Sequence, residues 1–221
     1  MQNPSRLVRT RFGFNMALNP IDRGVSAVIG GLGCWEPKAT FHFRRLLQEA
    51  RVVVDVGANI GWYSLLAAKS GALVYAFEPE AINFDLLMKS LELNGFENIL
   101  AFPYVICDRD GETWLTITDS DNKGTHSTVI DVGKHRLRVP CWKLDSLFPK
   151  QTIDILKIDA EGAEPEVLMG AQQLIKEKRV KYILMEWTPR FWRERESILE
   201  PFQIFSIDKK SQEHNLLLIA R

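Results

Sequence analysis

The sequence lacks a charge excess of either sign, since its 28 Lys and Arg residues equal its 28 Asp and Glu. No global field therefore draws the molecule to nucleic acid or to an anionic membrane, and a polyanionic substrate is disfavoured. Cysteine is scarce as well. Cys34, Cys107 and Cys141 are odd in number and widely spaced, with no Cys-x-x-Cys pair. That argues against a disulfide framework or a zinc knuckle and suits a reducing cytoplasm. Long apolar runs are missing too. Residues 25–33, the longest near the start, are too short and too glycine-rich to span a bilayer and show no signal-peptide cleavage pattern, so no membrane partner is expected. The 221 residues, 46% of them hydrophobic, suit one globular domain with a sizeable core and leave no room for two catalytic domains. One local imbalance remains: Arg6, Arg9, Arg11 and Arg23 stand against Asp22 in the first 24 residues, which reads as a solvated arm.

After an irregular opening, residues 38–49 read as a short helix, making residues 1–50 an arm and helical cap. Val52, Val53, Val54 and Val56 then form the β-branched run that a strand buried on both faces of a parallel sheet needs. Residues 60–69 follow as a helix, with Asn59 placed to cap it and Gly71 just past its end. Residues 73–77 are a second strand, and Pro79 marks where the next helix begins. That helix carries Phe84, Leu87, Met88 and Leu91 at the spacing of one buried face, and Asn94 and Gly95 end it. Residues 98–105 make a third strand and complete a β-α-β-α-β unit. The helical period is lost over residues 108–150. Alternating runs at 113–118 and 137–142, with Asp110-Gly111 and Lys123-Gly124 beside them, predict an antiparallel insertion that walls a substrate pocket. Strands at 153–158, 180–185, 202–207 and 215–220 and a helix at 165–175 finish the chain. The sum is an α/β, Rossmann-like domain over residues 51–221, with a seven-stranded mixed, mostly parallel sheet and helices on both faces.

The chemistry gathers in residues 52–80. Gly57 and Gly61, on a turn between a buried strand and a helix, let a ligand approach the backbone where any Cβ would collide. Glu78 closes the second strand 21 residues after Gly57, the distance at which a carboxylate accepts hydrogen bonds from both hydroxyls of a ribose. The Gly-x-x-x-Gly spacing lacks the middle glycine of a dinucleotide fingerprint. Asp55 adds a carboxylate that suits a sulfonium and an ammonium better than a diphosphate. S-adenosylmethionine meets all three constraints. The same strand, turn and helix also fit an NAD(P)- or nucleotide-binding protein.

Three segments, DVGANIGWYSLLAA from residue 55, AFEPE from residue 76 and LKIDAEGAEPEVLMGA from residue 156, resemble the FkbM-type methyltransferases. The likeness covers residues 35–221. It implies a class I methyltransferase fold, S-adenosylmethionine as donor, and O-methylation of a hydroxyl on a sugar or other small molecule. The donor-site positions that carry over are Asp55, Gly57, Asn59, Gly61 and Glu78, with Asp108 at the adenine edge and Glu36 bordering the methionine end.

Asp159 and Glu161 follow a central strand on the same rim, where they would orient or deprotonate the acceptor, and His126, beside Ser127 in the insertion, is a further proton acceptor. A divalent cation held by Asp159, Glu161 and Glu186 is the lesser reading. Asp159-Ala160-Glu161-Gly162 is not the (D/N)-P-P-(Y/F) clamp for a base amine, so base methylation is disfavoured. An RNA methyltransferase would also carry a basic, aromatic patch. Only Arg190, Arg193 and Arg195 around Phe191 and Trp192 approach one, and they read as an amphipathic helix over the sheet edge.

Overall fold

The computed structural model describes residues 5–117, 135–189, 196–207 and 214–221. The chain opens with a hairpin of β1 (Arg6–Arg9) and β2 (Asn15–Leu18), followed by α1 (Val25–Leu32) and α2 (Pro37–Leu46). The opening read as irregular therefore holds regular structure from Arg6 onward, while Arg6, Arg9, Arg11 and Arg23 are exposed. Phe14, Met16, Ala17 and Leu18 are buried, and the Asn15 and Ala17 amides donate to Asn94 Oδ1 and Ser90 Oγ at 2.7 and 2.9 Å. Strands of four residues are too short for a period of two to show in sequence.

The sheet begins with β3 (Val52–Val56), α3 (Trp62–Lys69), β4 (Leu73–Phe77), α4 (Ala81–Asn94) and β5 (Ile99–Phe102). The insertion holds β6 (Val105–Ile106), β7 (Gly111–Ile117), β8 (His135–Trp142) and the short α5 (Leu144–Leu147). Then come β9 (Ile153–Ile158), α6 (Glu164–Met169), α7 (Gln172–Lys176), β10 (Val180–Trp187), β11 (Phe202–Ser206) and β12 (His214–Ala220). Seven strands form the main sheet in the order β11-β12-β10-β9-β3-β4-β5. β12 runs antiparallel to both neighbours and every other pairing is parallel.

Alternation along the strands divides two cores between the faces of the sheet. Val53 and Ile155 join one apolar cluster with α3 and α4, while Val54, Val56, Leu156 and Ile158 join another with α6 and α7. All six residues of β9 are buried, as a central strand covered on both faces requires. The chain moves outward from β3 to β5 and then returns to β9 and β10 on the other side. Strand order thus reverses between β3 and β9, and the crevice beyond their carboxyl ends is where such sheets bind ligands.

Several expectations need correction. The third strand ends at Phe102, because Pro103 interrupts the ladder, and Val105 and Ile106 pair with β8 in a separate sheet of order β6-β8-β7. The helix expected at 165–175 divides at Gly170, where a Cβ would lie 2.0 Å from the Cys107 carbonyl oxygen. Asp145 caps the second piece from a distance, its two oxygens accepting from the Gln173 and Leu174 amides at 2.9 Å each. α4 starts at Ala81 behind Glu80, whose carboxylate accepts from the Asn83 amide at 2.7 Å. Its buried face is Asn83, Leu86, Leu87, Ser90 and Leu91, while Met88 is exposed. Residues 123–128, with His126, and the Arg-rich stretch 190–195 lie outside the described residues. Among the described residues no helix is long and apolar enough to cross a membrane.

Candidate functional site

Three strand exits build the rim: Gly57 follows β3, Glu78 follows β4 and Asp159 follows β9. Gly57 has φ 73° and a Cβ there would lie 1.8 Å from the Asp159 carbonyl oxygen. Gly61 has φ 93° and a Cβ there would lie 2.5 Å from Leu87 Cδ1 of α4. Both glycines are thus required by the protein's own close packing. Asn59 does not cap α3. It sits in the left-handed region at φ 52° and the helix begins behind Gly61.

Every amide of the turn is already engaged. Gly57 and Ala58 donate to the Phe77 carbonyl at 3.0 Å each, and Gly61 donates to the Ala58 carbonyl at 2.8 Å. Asn59 N–H donates to Glu78 Oε2 at 2.8 Å and Ile60 N–H to Asn59 Oδ1 at 2.7 Å. These five successive donors, which would cradle a diphosphate in a dinucleotide site, are spent on the turn itself.

Glu78 is held from two sides, because its Oε1 also accepts from the Glu80 amide at 2.9 Å. Burial pushes its carboxyl up to about 7, against the pull of the Glu80 and Asn59 amides, with the Glu80 and Asp55 charges adding to the rise. Gly57, Asn59 and Glu78 line one cavity with Asp159 and Glu161, and its apolar wall includes Phe77, Tyr104, Ile106 and Leu115. Leu115 belongs to β7, so the insertion does wall the pocket.

The other carried-over positions are placed elsewhere. Asp55 is 1% exposed and does not line the cavity; Ser64 Oγ donates to its Oδ2 at 2.6 Å. Burial pushes its carboxyl up to about 6, despite the Ser64 hydroxyl and the Lys157 ammonium. Gly61 supports the turn from behind. Asp108 is also absent from the cavity wall and pairs at 3.0 Å with Arg109 at the surface.

Two buried residues were assigned no part in the site from the sequence, Glu164 being read there only as an acid at a helix N-terminus. Glu164, at the start of α6, turns back so that its Oε1 accepts from the Ala160 and Gly162 amides at 2.9 and 3.1 Å. It thereby holds the turn in which Glu161 takes φ 51°. Burial pushes the Glu164 carboxyl up to about 6, against the bonds that those amides make. Lys157 is 1% exposed, with Nζ 3.2 Å from Asp159 Oδ2. A lysine between Leu156 and Ile158 in a buried strand was the available signal. Among the described residues no three His, Cys, Asp or Glu side chains converge as a metal ion requires.

The cap reaches this rim through α2 and α3. Glu36, at φ 38°, accepts from Tyr63 Oη at 2.8 Å and from Asn215 Nδ2 at 3.0 Å. Trp62 Nε1 donates to Thr40 Oγ1 at 2.8 Å, and Thr40 Oγ1 donates to the Trp35 carbonyl at 2.6 Å.

Strand order and site together define a methyltransferase of the Rossmann-like class I fold. A solved structure of this fold is the Pyrococcus abyssi tRNA (uracil-54, C5)-methyltransferase in complex with S-adenosyl-L-homocysteine. It superposes with a TM-score of 0.54 at 12% identity, over 97% of this chain and 44% of that one. Residues 55–215 match the methyltransferase FkbM domain, and the chain belongs to that family. It is 27% identical over 184 residues to methyltransferase sdnD of Sordaria araneosa, covering 67% of this chain and 71% of that protein. It is 26% identical over 149 residues to hexuronic acid methyltransferase AglP of Haloferax volcanii, covering 65% of this chain and 59% of that protein.

Proposed function

We propose that this domain transfers a methyl group from S-adenosylmethionine to a hydroxyl of a sugar or another small molecule. The observation that carries the reading is Glu78, fixed by two amides at the cavity wall beside a turn that has no amide left for a diphosphate. A ribose finds its partner there and a dinucleotide bridge does not. Glu78, Asp159 and Glu161 make the cavity acidic, which suits a donor bearing a sulfonium and an ammonium. Bound there, the donor supplies an electrophilic methyl group.

The chain's own residues do the rest. Phe77, Tyr104 and Ile106 offer an apolar bed for the adenine, and Glu78 takes the ribose hydroxyls. Asp159 accepts the proton that the acceptor hydroxyl gives up as its oxygen gains the methyl, and Glu161 borders the same space. The resemblance to a hexuronic acid methyltransferase favours a sugar acceptor, and the pocket wall from β7 suits a small molecule.

A panel of sugars, uronic acids, phenols and tRNA incubated with methyl-labelled donor tests the reading by mass analysis. Label on an oxygen of a small hydroxyl compound is the expected result. Label confined to RNA, or to nitrogen, would contradict it.

A further inference from the structure

Lysine reaches the burial of Lys157 only when its charge is met inside the protein. Three neighbouring elements and its own strand meet it. Asp55 stands directly across in β3, and the Tyr63 ring of α3 lies 4.9 Å from Nζ. The Glu36 carboxylate acts from the start of α2, and Asp159 closes the set two residues along β9. Burial opposes the ammonium, but Asp159, Glu36 and Asp55 outweigh it and hold Lys157 above the ordinary lysine value.

Asp159 is the carboxylate of this cluster that faces the cavity, beside the Tyr63 ring. Its backbone is fixed twice: the amide donates to the Val56 carbonyl at 3.0 Å, and the carbonyl fills the space beside Gly57. Lys157 takes Oδ2, while Oδ1 has no further partner among the described residues. Burial pushes up the neighbouring carboxyls of Glu78, Asp55 and Glu164. Asp159 differs in having an ammonium in contact.

We propose that Lys157 is a positioning residue for methyl transfer, its buried ammonium pinning Oδ2 of Asp159 so that Oδ1 serves the acceptor hydroxyl. The inference rests on the role given to Asp159 above. In the step, the acceptor O–H and donor S–CH3 bonds break, the O–CH3 bond forms, the proton passes to Asp159, and Lys157 keeps its own.

Lys157→Gln removes the charge and leaves a donor N–H in place. Lys157→Met, of similar volume, replaces it should that variant fail to melt cooperatively. The expected kinetics are a kcat lower by about 100-fold, with acceptor KM and donor affinity within about threefold of the parent. Adding Lys157→Gln to Asp159→Asn should cost nothing more, because both remove one device. A parent-like kcat, or multiplying losses in the double variant, would overturn the proposal.

A second readout needs no acceptor. In crystal structures of the parent and of Lys157→Met, the Asp159 carboxylate should leave its parent position in the variant, and an unmoved carboxylate would overturn the proposal. A parent that methylates no hydroxyl defeats the functional reading alone, while this comparison still decides the part Lys157 plays.

Discussion

Gly57 and Asp159 meet where two strand exits close on each other, the space for a Cβ on the glycine being filled by the aspartate's carbonyl oxygen. Register continues the contact inward, with Val56 opposite Ile158 and Asp55 opposite Lys157. The turn at Gly57 and the Asp159 side of the rim are therefore packed as one piece, and a disturbance at Gly57 moves Asp159.

Gly57→Ala should lower the unfolding free energy by about 3 kcal/mol or more, combining roughly 1–2 kcal/mol of left-handed strain with displaced backbone. Gly71 also has a positive φ, 92°, but faces open space. Gly71→Ala should cost only the strain, about 1–2 kcal/mol. Urea unfolding compares the two, and equal losses would speak against the proposed contact.

Glu78 gives the donor-free protein an unusual pH dependence. Its carboxyl is raised from 4.5 to about 7, so between those values the folded state binds more protons than the unfolded. The stability this contributes is full below about pH 4.5 and disappears as pH rises through about 7. Asp55, raised from 3.8 to about 6, and Glu164, raised from 4.5 to about 6, act in the same direction. The melting temperature should fall between pH 5 and pH 8, and the fall should be smaller in Glu78→Gln by roughly 5 °C, at about 2–4 °C per kcal/mol. Identical slopes in the two proteins would be inconsistent with a carboxyl buried in this way.

Thr40 joins the cap to the donor side, accepting from Trp62 and donating to the Trp35 carbonyl. Thr40→Val keeps the shape and strands the indole N–H of Trp62, which is 2% exposed. A loss of about 1–3 kcal/mol is expected in denaturant unfolding, with Thr40→Ser close to the parent. Equal stability of the Val variant would show that the indole finds another partner.

The strands were legible because β-branched runs such as Val52, Val53 and Val54 cannot sit well anywhere but a buried sheet. Glu78 was legible because its place follows from chain distance alone. What escaped the sequence was whatever depends on an atom arriving from elsewhere in the chain. The neighbour that fills the space beside Gly57 lies 102 residues downstream, so the glycine read as room for a ligand. Asp55 and Lys157 face each other only once β3 and β9 are paired, and their spacing gave no sign of it. The break at Gly170 likewise needs Cys107, from the insertion, to make sense.

The central claim is that the cavity takes an S-adenosyl nucleoside through Glu78. Calorimetric titration of the parent and of Glu78→Ala with S-adenosylhomocysteine and with NAD addresses it most directly. The account predicts saturable binding of the nucleoside to the parent, a loss of about 10- to 100-fold in the variant, and no heat from NAD. Tight NAD binding with a silent nucleoside, or equal uptake of the nucleoside by both proteins, would contradict it.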